Sequence, residues 1–400
     1  MLTVISRQEA LAIIKEKFSF LEPIKEYVPL DEAVGRILYE DVKSRENIPC
    51  FNRSTVDGYA VIAADTFGCS QSIPSELSVV GEILMGEQSD AAISEGECMK
   101  ISTGGMLPKN ADAVVMVENT DTSFEGICLI YKASSVYENV TKIGDDVKKD
   151  ERVLQKGIGV SSRHIGVLSG IGTVQVPCVN RPVVGIISTG DEVVPAEKQL
   201  APGKVRDINS HILSALMKEL GCEVIQYGIV KDCRENLLET TKTAVKSCDI
   251  ILLSGGSSAG NKDMTIQIIE TLGEAYFHGI AMKPGKPTIF GKIDGKAVFG
   301  LPGHPAAAYF VALALVKPLC ERLLGVKIPE RKQSAVLESN ISSNHGREEI
   351  VCVRFTETGV LPVYAKSGVV SQLSQSDGYI VIERNIEGLK KGDEVEVILF

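Results

Sequence analysis

The sequence predicts a multidomain protein of α/β plus β class. It combines a doubly wound, largely parallel α/β sheet domain with an inserted β-rich domain and a C-terminal β-barrel-like domain. Three observations predict this. At 400 residues the chain exceeds what one hydrophobic core organises, so it divides. Between about Arg181 and Gly325, apolar strand-like runs alternate with amphipathic helical ones, the signature of a parallel sheet covered on both faces. On either side the texture is short β-type runs broken by Gly, Pro, Ser and Asn. The implied domains are 1–43 with 143–180 as a discontinuous linking unit, 44–142 β-rich, 181–326 α/β, and 327–400 C-terminal β.

In order along the chain, Ser6-Arg7-Gln8-Glu9 is a capping box, followed by an apolar stripe of Ala10, Ile13, Ile14 and Phe18. A second short helix is expected at Leu30–Val34, ending at Gly35. The β-rich stretch carries strands at Leu77–Val80, Glu97–Ile101, Ala113–Val117 and Ile127–Tyr131, read as antiparallel, with loops at Asn52–Gly58 and Ser102–Asn110. The α/β stretch has strands at Pro182–Ile187, Glu223–Val230, Asp249–Leu253, Ala275–Ala281, Thr288–Phe290 and Ala297–Phe299. Its helices are Asn209–Leu220, Arg234–Lys246, Met264–Leu272 and a closing Ala306–Leu324. The tail has strands at Ile350–Phe355, Val360–Val363, Tyr379–Ile382 and Val395–Leu399.

Composition excludes several function classes. The net charge of −10 and the absence of Trp argue against a nucleic-acid binder, which needs a basic face and stacking platforms. The ten cysteines form no CxxC and the five histidines no HExxH, so zinc and iron–sulfur chemistry is not indicated. Scattered thiols fit a reducing compartment. The start runs directly into a helix with no signal-peptide core, and the apolar run Ala306–Val316 is too short to cross a bilayer. The expectation is a cytoplasmic protein with no membrane or nucleic-acid partner.

The chemistry lies in five strand-end loops of the α/β stretch. They are Ser188-Thr189-Gly190-Asp191-Glu192, Lys231-Asp232, Ser254 to Asp263, Met282 to Pro287, and Gly300-Leu301-Pro302-Gly303-His304-Pro305. In a doubly wound sheet such loops share the carboxyl edge, where ligands bind. Gly190, Gly255, Gly256 and Gly303 let backbone N–H groups approach an anion, and Ser188, Ser257, Pro302, His304 and Pro305 line the same edge. Lys283 and Lys286 supply point charges for phosphate or an oxyanion. Asp191, Glu192, Asp232 and Asp263 supply hard oxygens for Mg²⁺, with Asp232 and Asp263 the expected metal ligands. Any one loop has the composition of an ordinary turn. Five on one edge point to a phosphorylated ligand with a divalent metal.

Several long motifs resemble the molybdopterin molybdenumtransferases (the MoeA proteins and the E domain of gephyrin), in order and over nearly the whole chain. They are Arg53-Ser54-Thr55-Val56-Asp57-Gly58-Tyr59-Ala60, Ile101 to Glu118 with its Thr103-Gly104-Gly105 and Ala111-Asp112-Ala113-Val114-Val115 runs, and Gly144-Asp145-Asp146. The STGDE, SGG…Asp263, KPGKP and GLPG-x-P segments complete the set. The resemblance implies a molybdopterin-binding α/β domain and a Mg²⁺-dependent transfer of molybdate into adenylyl-molybdopterin with release of AMP. It adds Asp57, Thr103, Glu118 and Asp146 to Glu192, Lys283 and Lys286 as catalytic residues. It also implies a homodimer whose cleft joins the α/β domain of one subunit to the β-rich domain of the other. Transient contacts with other cofactor-biosynthesis proteins or apo-molybdoenzymes follow from the same resemblance. Alternative readings within it are a molybdopterin adenylyltransferase and a non-catalytic cofactor-binding scaffold.

The chain departs from the family pattern at Val56, at His304, at Ala307 where Ser is common, and at Cys352 where Arg is expected. If that Ser and Arg hold molybdate in other members, Arg347, Arg354 or Ser371 are the candidates to replace them here. Molybdate and tungstate are not distinguished.

Overall fold

The computed structural model describes residues 4–88, 90–255, 261–364 and 371–400, and excludes the side chains of Asn261, Lys262 and Asp263. The described chain forms two compact units, Tyr27–Val34 with Glu40–Pro177, and Met1–Glu26 with Gly35–Tyr39 and Cys178–Phe400.

The first unit is built on a six-stranded sheet. Its strands are β1 (Gly58–Val61), β2 (Ser75–Ile83), β3 (Glu97–Ile101), β4 (Ala113–Met116), β5 (Thr120–Asp121) and β6 (Ile127–Ile130), in the order β4-β1-β3-β2-β6-β5. Alternate residues feed two cores: Tyr59, Val61, Cys98 and Val115 in one, Ala60, Met99, Ile101 and Val114 in the other. Gly58 is required because a Cβ there would lie 1.9 Å from the Val115 carbonyl oxygen. The expected all-antiparallel arrangement needs correction, because β2 and β3 pair in parallel. The long connection after Ile83 lets the chain cross over before re-entering the sheet. The short helix expected at Leu30–Val34 forms as a single 3₁₀ turn, Leu30–Glu32, and Gly35 follows with φ +78°.

The second unit holds the α/β sheet. Its strands are β7 (Val183–Thr189), β8 (Glu223–Val230), β9 (Ile250–Gly255), β10 (Glu274–His278), β12 (Ile289–Ile293) and β13 (Lys296–Leu301); the short β11 (Met282–Lys283) lies outside this sheet. The order is β8-β7-β9-β13-β12-β10. The first four are parallel, and β12 runs antiparallel to both of its neighbours. The chain order reverses about β7, so the crevice beyond the carboxyl ends of β7 and β9 is the topological switch point.

Helices cover both faces. On one side lie α1 (Arg7–Lys17), α3 (Asn209–Glu219) and a closing helical stretch; on the other lie α4 (Arg234–Ser247) and α5 (Asn261–Leu272), while α2 (Ser162–Gly170) belongs to the first unit. The closing stretch is α6 (Pro305–Val311), a π-helical turn (Ala312–Val316) and α7 (Lys317–Leu324), where one continuous α-helix is expected. The Ser6–Glu9 capping box forms, and α1 packs Ala10, Ile14 and Phe18 into the α/β core. Its entry is tied by Ala281 N–H donating to the Ile5 carbonyl at 2.7 Å.

The C-terminal sheet contains β14 (Lys332–Val336), β15 (Glu348–Phe355), β16 (Val360–Pro362), β17 (Gly378–Ile382) and β18 (Glu394–Leu399). Its order is β11-β15-β17-β18-β14, with β16 on β15. The edge strand β11 is borrowed from the loop between β10 and β12. It pairs in parallel with β15, placing Met282 opposite Glu348 and Lys283 opposite Glu349. Among the described residues no helix is long and apolar enough to cross a membrane, and all ten cysteines are free thiols.

Candidate functional site

The carboxyl ends of β7 and β9 meet in register, Ser188 with Ser254 and Thr189 with Gly255. Gly255 has φ +156°, and a Cβ there would lie 1.9 Å from the Thr189 carbonyl oxygen, so only glycine fits this close approach. Thr189 in turn donates its hydroxyl to Asp232 Oδ1 at 2.6 Å. The Asp232 backbone N–H points at Asp191 Oδ1, 3.3 Å away, and the Asp191 carbonyl accepts from Lys204 Nζ at 2.7 Å. Three loops predicted from the sequence therefore converge through direct contacts.

A cavity of about 310 Å³ opens over this edge, lined by Ser188, Glu192, Asn209, Ser254, Gly303, His304 and Pro305 among others. Its floor is polar and buried. Asn209 donates its side-chain N–H₂ to Ser254 Oγ at 2.8 Å, the Gly303 carbonyl at 3.0 Å and the Pro302 carbonyl at 3.4 Å. Two carbonyl acceptors fix which end of the amide is nitrogen. Asn209 Oδ1 and Ser188 Oγ are buried with no hydrogen-bond partner among the described residues. Such atoms cost stability unless a ligand or water satisfies them. Asp207, just before α3, accepts from Ser210 N–H at 3.0 Å, which holds Asn209 at the helix start.

A second cavity, of about 490 Å³, lies on the other side of the GLPGHP loop, and His304 lines both. Its wall carries Lys283, Lys286, Pro302, Arg347, Glu349 and Cys352, with Ala307 at the base of α6. Gly285 has φ +123°, and a Cβ there would lie 2.5 Å from Val311 Cγ2, so this turn also requires glycine. Lys283 Nζ is 2.5 Å from Glu349 Oε1, and Ser343 donates to Glu349 Oε2 at 2.9 Å. Arg347 Nε is buried and without a partner among the described residues. Burial pushes the Cys352 thiol up to about 11, so it is neutral at pH 7. Of the three candidates to replace the missing family Ser and Arg, Arg347 lines this cavity. Arg354 lines a different depression, and Ser371 opens a short helix whose Gln372 reaches the cavity.

In the β-rich unit, Thr103 donates its N–H and hydroxyl to Asp57 Oδ1, and these bonds hold the Asp57 carboxyl below its usual range. Val117 N–H donates to the Asp57 carbonyl at 3.1 Å, which sets the exposed Glu118 beside the same loop. Asp146 sits on a separate turn, its N–H donated to the Ile48 carbonyl. Among the described residues no hydrogen bond or ion pair joins it to the other three. Gly190 closes the β7 end with φ +144°. Gly256, Ser257 and the Asp263 side chain lie outside the described residues.

The sequence assigned no site role to Asn209, Asp207 or Glu349, whereas Ser254 opens one of the five expected loops. The Asp207-Ile208-Asn209-Ser210 run was legible only as a helix start. Glu349 sits in a strand that gives no local sign of a cavity.

Fold and site define a doubly wound α/β domain with polar cavities at its carboxyl edge, flanked in sequence by two β-bearing regions. Residues 185–322 match the family model "Probable molybdopterin binding domain", 5–172 match "MoeA N-terminal region (domain I and II)", and 334–400 match "MoeA C-terminal region (domain IV)". The chain belongs to the molybdopterin molybdenumtransferase family, a family of molybdenum cofactor biosynthesis. It is 38% identical to a putative molybdopterin biosynthesis protein of Methanocaldococcus jannaschii, over 98% of this chain and 97% of that one. It is 33% identical to the molybdopterin molybdenumtransferase of Staphylococcus epidermidis, over 99% and 96%. A crystal structure of the molybdopterin biosynthesis MoeA protein from Pyrococcus horikoshii matches with TM-score 0.90 and 38% identity, over 99% of each chain.

Proposed function

We propose that this chain transfers molybdenum from molybdate into adenylyl-molybdopterin with release of AMP. The observation that carries the reading is the pair of adjoining cavities divided by His304. One offers buried hydrogen-bonding atoms with no partner among the described residues, suited to a heterocycle or sugar; the other is lined by cations suited to a tetrahedral oxyanion. An oxyanion held there is positioned to attack phosphorus in the neighbouring ligand. Attack by a molybdate oxygen on the molybdopterin-side phosphorus forms a molybdate–phosphate bond and breaks the bridging P–O bond, so AMP leaves with the bridging oxygen. The two dithiolene sulfurs would then take the MoO₃ unit, its shared oxygen staying on the phosphate. No side-chain nucleophile is needed. Lys286 and Arg347 would neutralise the incoming anion, a preorganised electrostatic role. Tungstate, of the same charge and shape, would enter by the same contacts.

The residues present fit Mg²⁺ with substrate phosphates completing its shell. The Asp191 carboxylate lies 3.3 Å from the Asp232 backbone N–H at the β7 end, which puts both residues at one loop edge, and Mg²⁺ takes one or two carboxylates plus phosphate oxygens. Among the described residues no group of three or more His, Cys, Asp or Glu side chains forms a protein-only cage. When bound, the ion would polarise a phosphoryl oxygen.

The test is AMP release from adenylyl-molybdopterin with Mg²⁺, with and without molybdate. Release that depends on molybdate is expected; release indifferent to it would sink the proposal. The homodimer extends it: Asp57→Ala and Lys286→Ala chains, each inactive alone, should regain activity when mixed. Failure to complement would remove the shared cleft.

A further inference from the structure

We infer that Glu349 sets the net charge of the cation-lined cavity and so selects the charge of the anion it accepts. This rests on the oxyanion reading of that cavity. The backbone makes the placement, since parallel pairing of β11 with β15 puts Lys283 opposite Glu349. The side chains then meet as an ion pair, and Ser343 Oγ satisfies the second carboxylate oxygen. Glu349 is 7% exposed, so its charge is poorly screened.

A buried carboxylate in an anion pocket works against affinity, because like charges repel. Here it offsets one of three cations. Among the described residues lining the cavity, Glu349 is the sole carboxylate, set against Lys283, Lys286 and Arg347. That leaves a surplus of two fixed positive charges beside the titratable ring of His304, which also lines the cavity, the match for a doubly charged tetrahedral oxyanion. Lys283 is held by Glu349, whereas Lys286 has no ion pair among the described residues and Arg347 Nε has no hydrogen-bond partner. The last two are the cations left to touch the anion. The neutral Ala307 and Cys352 on the same wall add no charge.

Removing the carboxylate raises the surplus to three. Coulomb attraction scales with the product of charges, so a dianion gains more than a monoanion. A structural loosening would weaken both alike.

The experiment is isothermal titration of the whole chain and of Glu349→Gln with molybdate and with perrhenate, a tetrahedral monoanion. Molybdate should tighten about ten-fold and perrhenate about three-fold, with a steeper salt dependence. A tightening for molybdate that exceeds the one for perrhenate supports the inference; any other order overturns it. Lys286→Ala separates the two levels. Unchanged molybdate binding in that variant overturns the oxyanion reading itself, whereas lost binding there with an indifferent Glu349→Gln overturns only the role of Glu349. Should Glu349→Gln fail to fold, Lys283→Met with Glu349→Gln removes both charges and keeps the surplus. A ratio of molybdate to perrhenate affinity within about three-fold of the natural chain's supports the inference, and a larger change overturns it.

Discussion

Thr103 donates both its backbone N–H, at 2.7 Å, and its hydroxyl, at 3.0 Å, to a single oxygen of Asp57. The carboxylate is exposed yet pinned in one orientation, and its second oxygen accepts no hydrogen bond among the described residues. The bonds also lower its pKa, the backbone N–H contributing most and the hydroxyl next. Because the folded value is depressed, the pair stabilises the fold above Asp57's unfolded pKa. That contribution fades as pH falls through the folded value.

Thr103→Val keeps the N–H bond and removes the hydroxyl. The Asp57 pKa should rise only part of the way to the ordinary value, read by carboxyl carbon NMR through a pH titration. An unmoved pKa would show that the hydroxyl is not engaged.

Asn209→Ala strips donors from the Pro302 and Gly303 carbonyls and from Ser254. Leaving buried acceptors unpaired should cost about 1–3 kcal/mol in denaturant unfolding. AMP release should fall further than stability explains, because the GLPGHP loop loses its tether. Full activity at reduced stability would confine Asn209 to a structural role.

Gly255→Ala forces a Cβ against the Thr189 carbonyl at a left-handed φ. Strain of about 1–3 kcal/mol or more is expected, read as a lowered unfolding midpoint. Since Thr189 holds Asp232, Mg²⁺-dependent AMP release should fall with it.

Asp232→Asn preserves the shape that accepts from Thr189 and deletes the charge. The Mg²⁺ concentration for half-maximal AMP release should rise about ten-fold or more. An unchanged Mg²⁺ requirement removes Asp232 from the metal site.

Phe18 is fully buried, with its ring 5.7 Å from that of Phe290. Phe18→Ala should cost about 3–5 kcal/mol in denaturant unfolding. A loss below about 1 kcal/mol would mean that α1 does not anchor in the α/β core.

The α/β strands, the capping box at Ser6, Pro305 at the start of α6 and the strand-end loops were legible because each rests on local chemistry. Periodicity, caps and turn residues act over a few positions. The same locality explains the misses. Parallel pairing of β2 with β3 depends on a crossover whose path no single residue announces. The π-helical turn at Ala312–Val316 has the apolar composition of ordinary helix.

Read alone, the sequence determined that glycine- and aspartate-bearing turns share the carboxyl edge of a parallel sheet, because each turn follows a strand whose direction its apolar run and flanking helices fix. Tertiary structure decided how the edge is divided. The Lys283–Glu349 pair, the Asn209 tether and the placement of Arg347 beside Ala307 and Cys352 join residues far apart in the chain. Their meeting depends on strand register and helix packing, which long-range hydrogen bonding and burial set together. No spacing in the sequence encodes it.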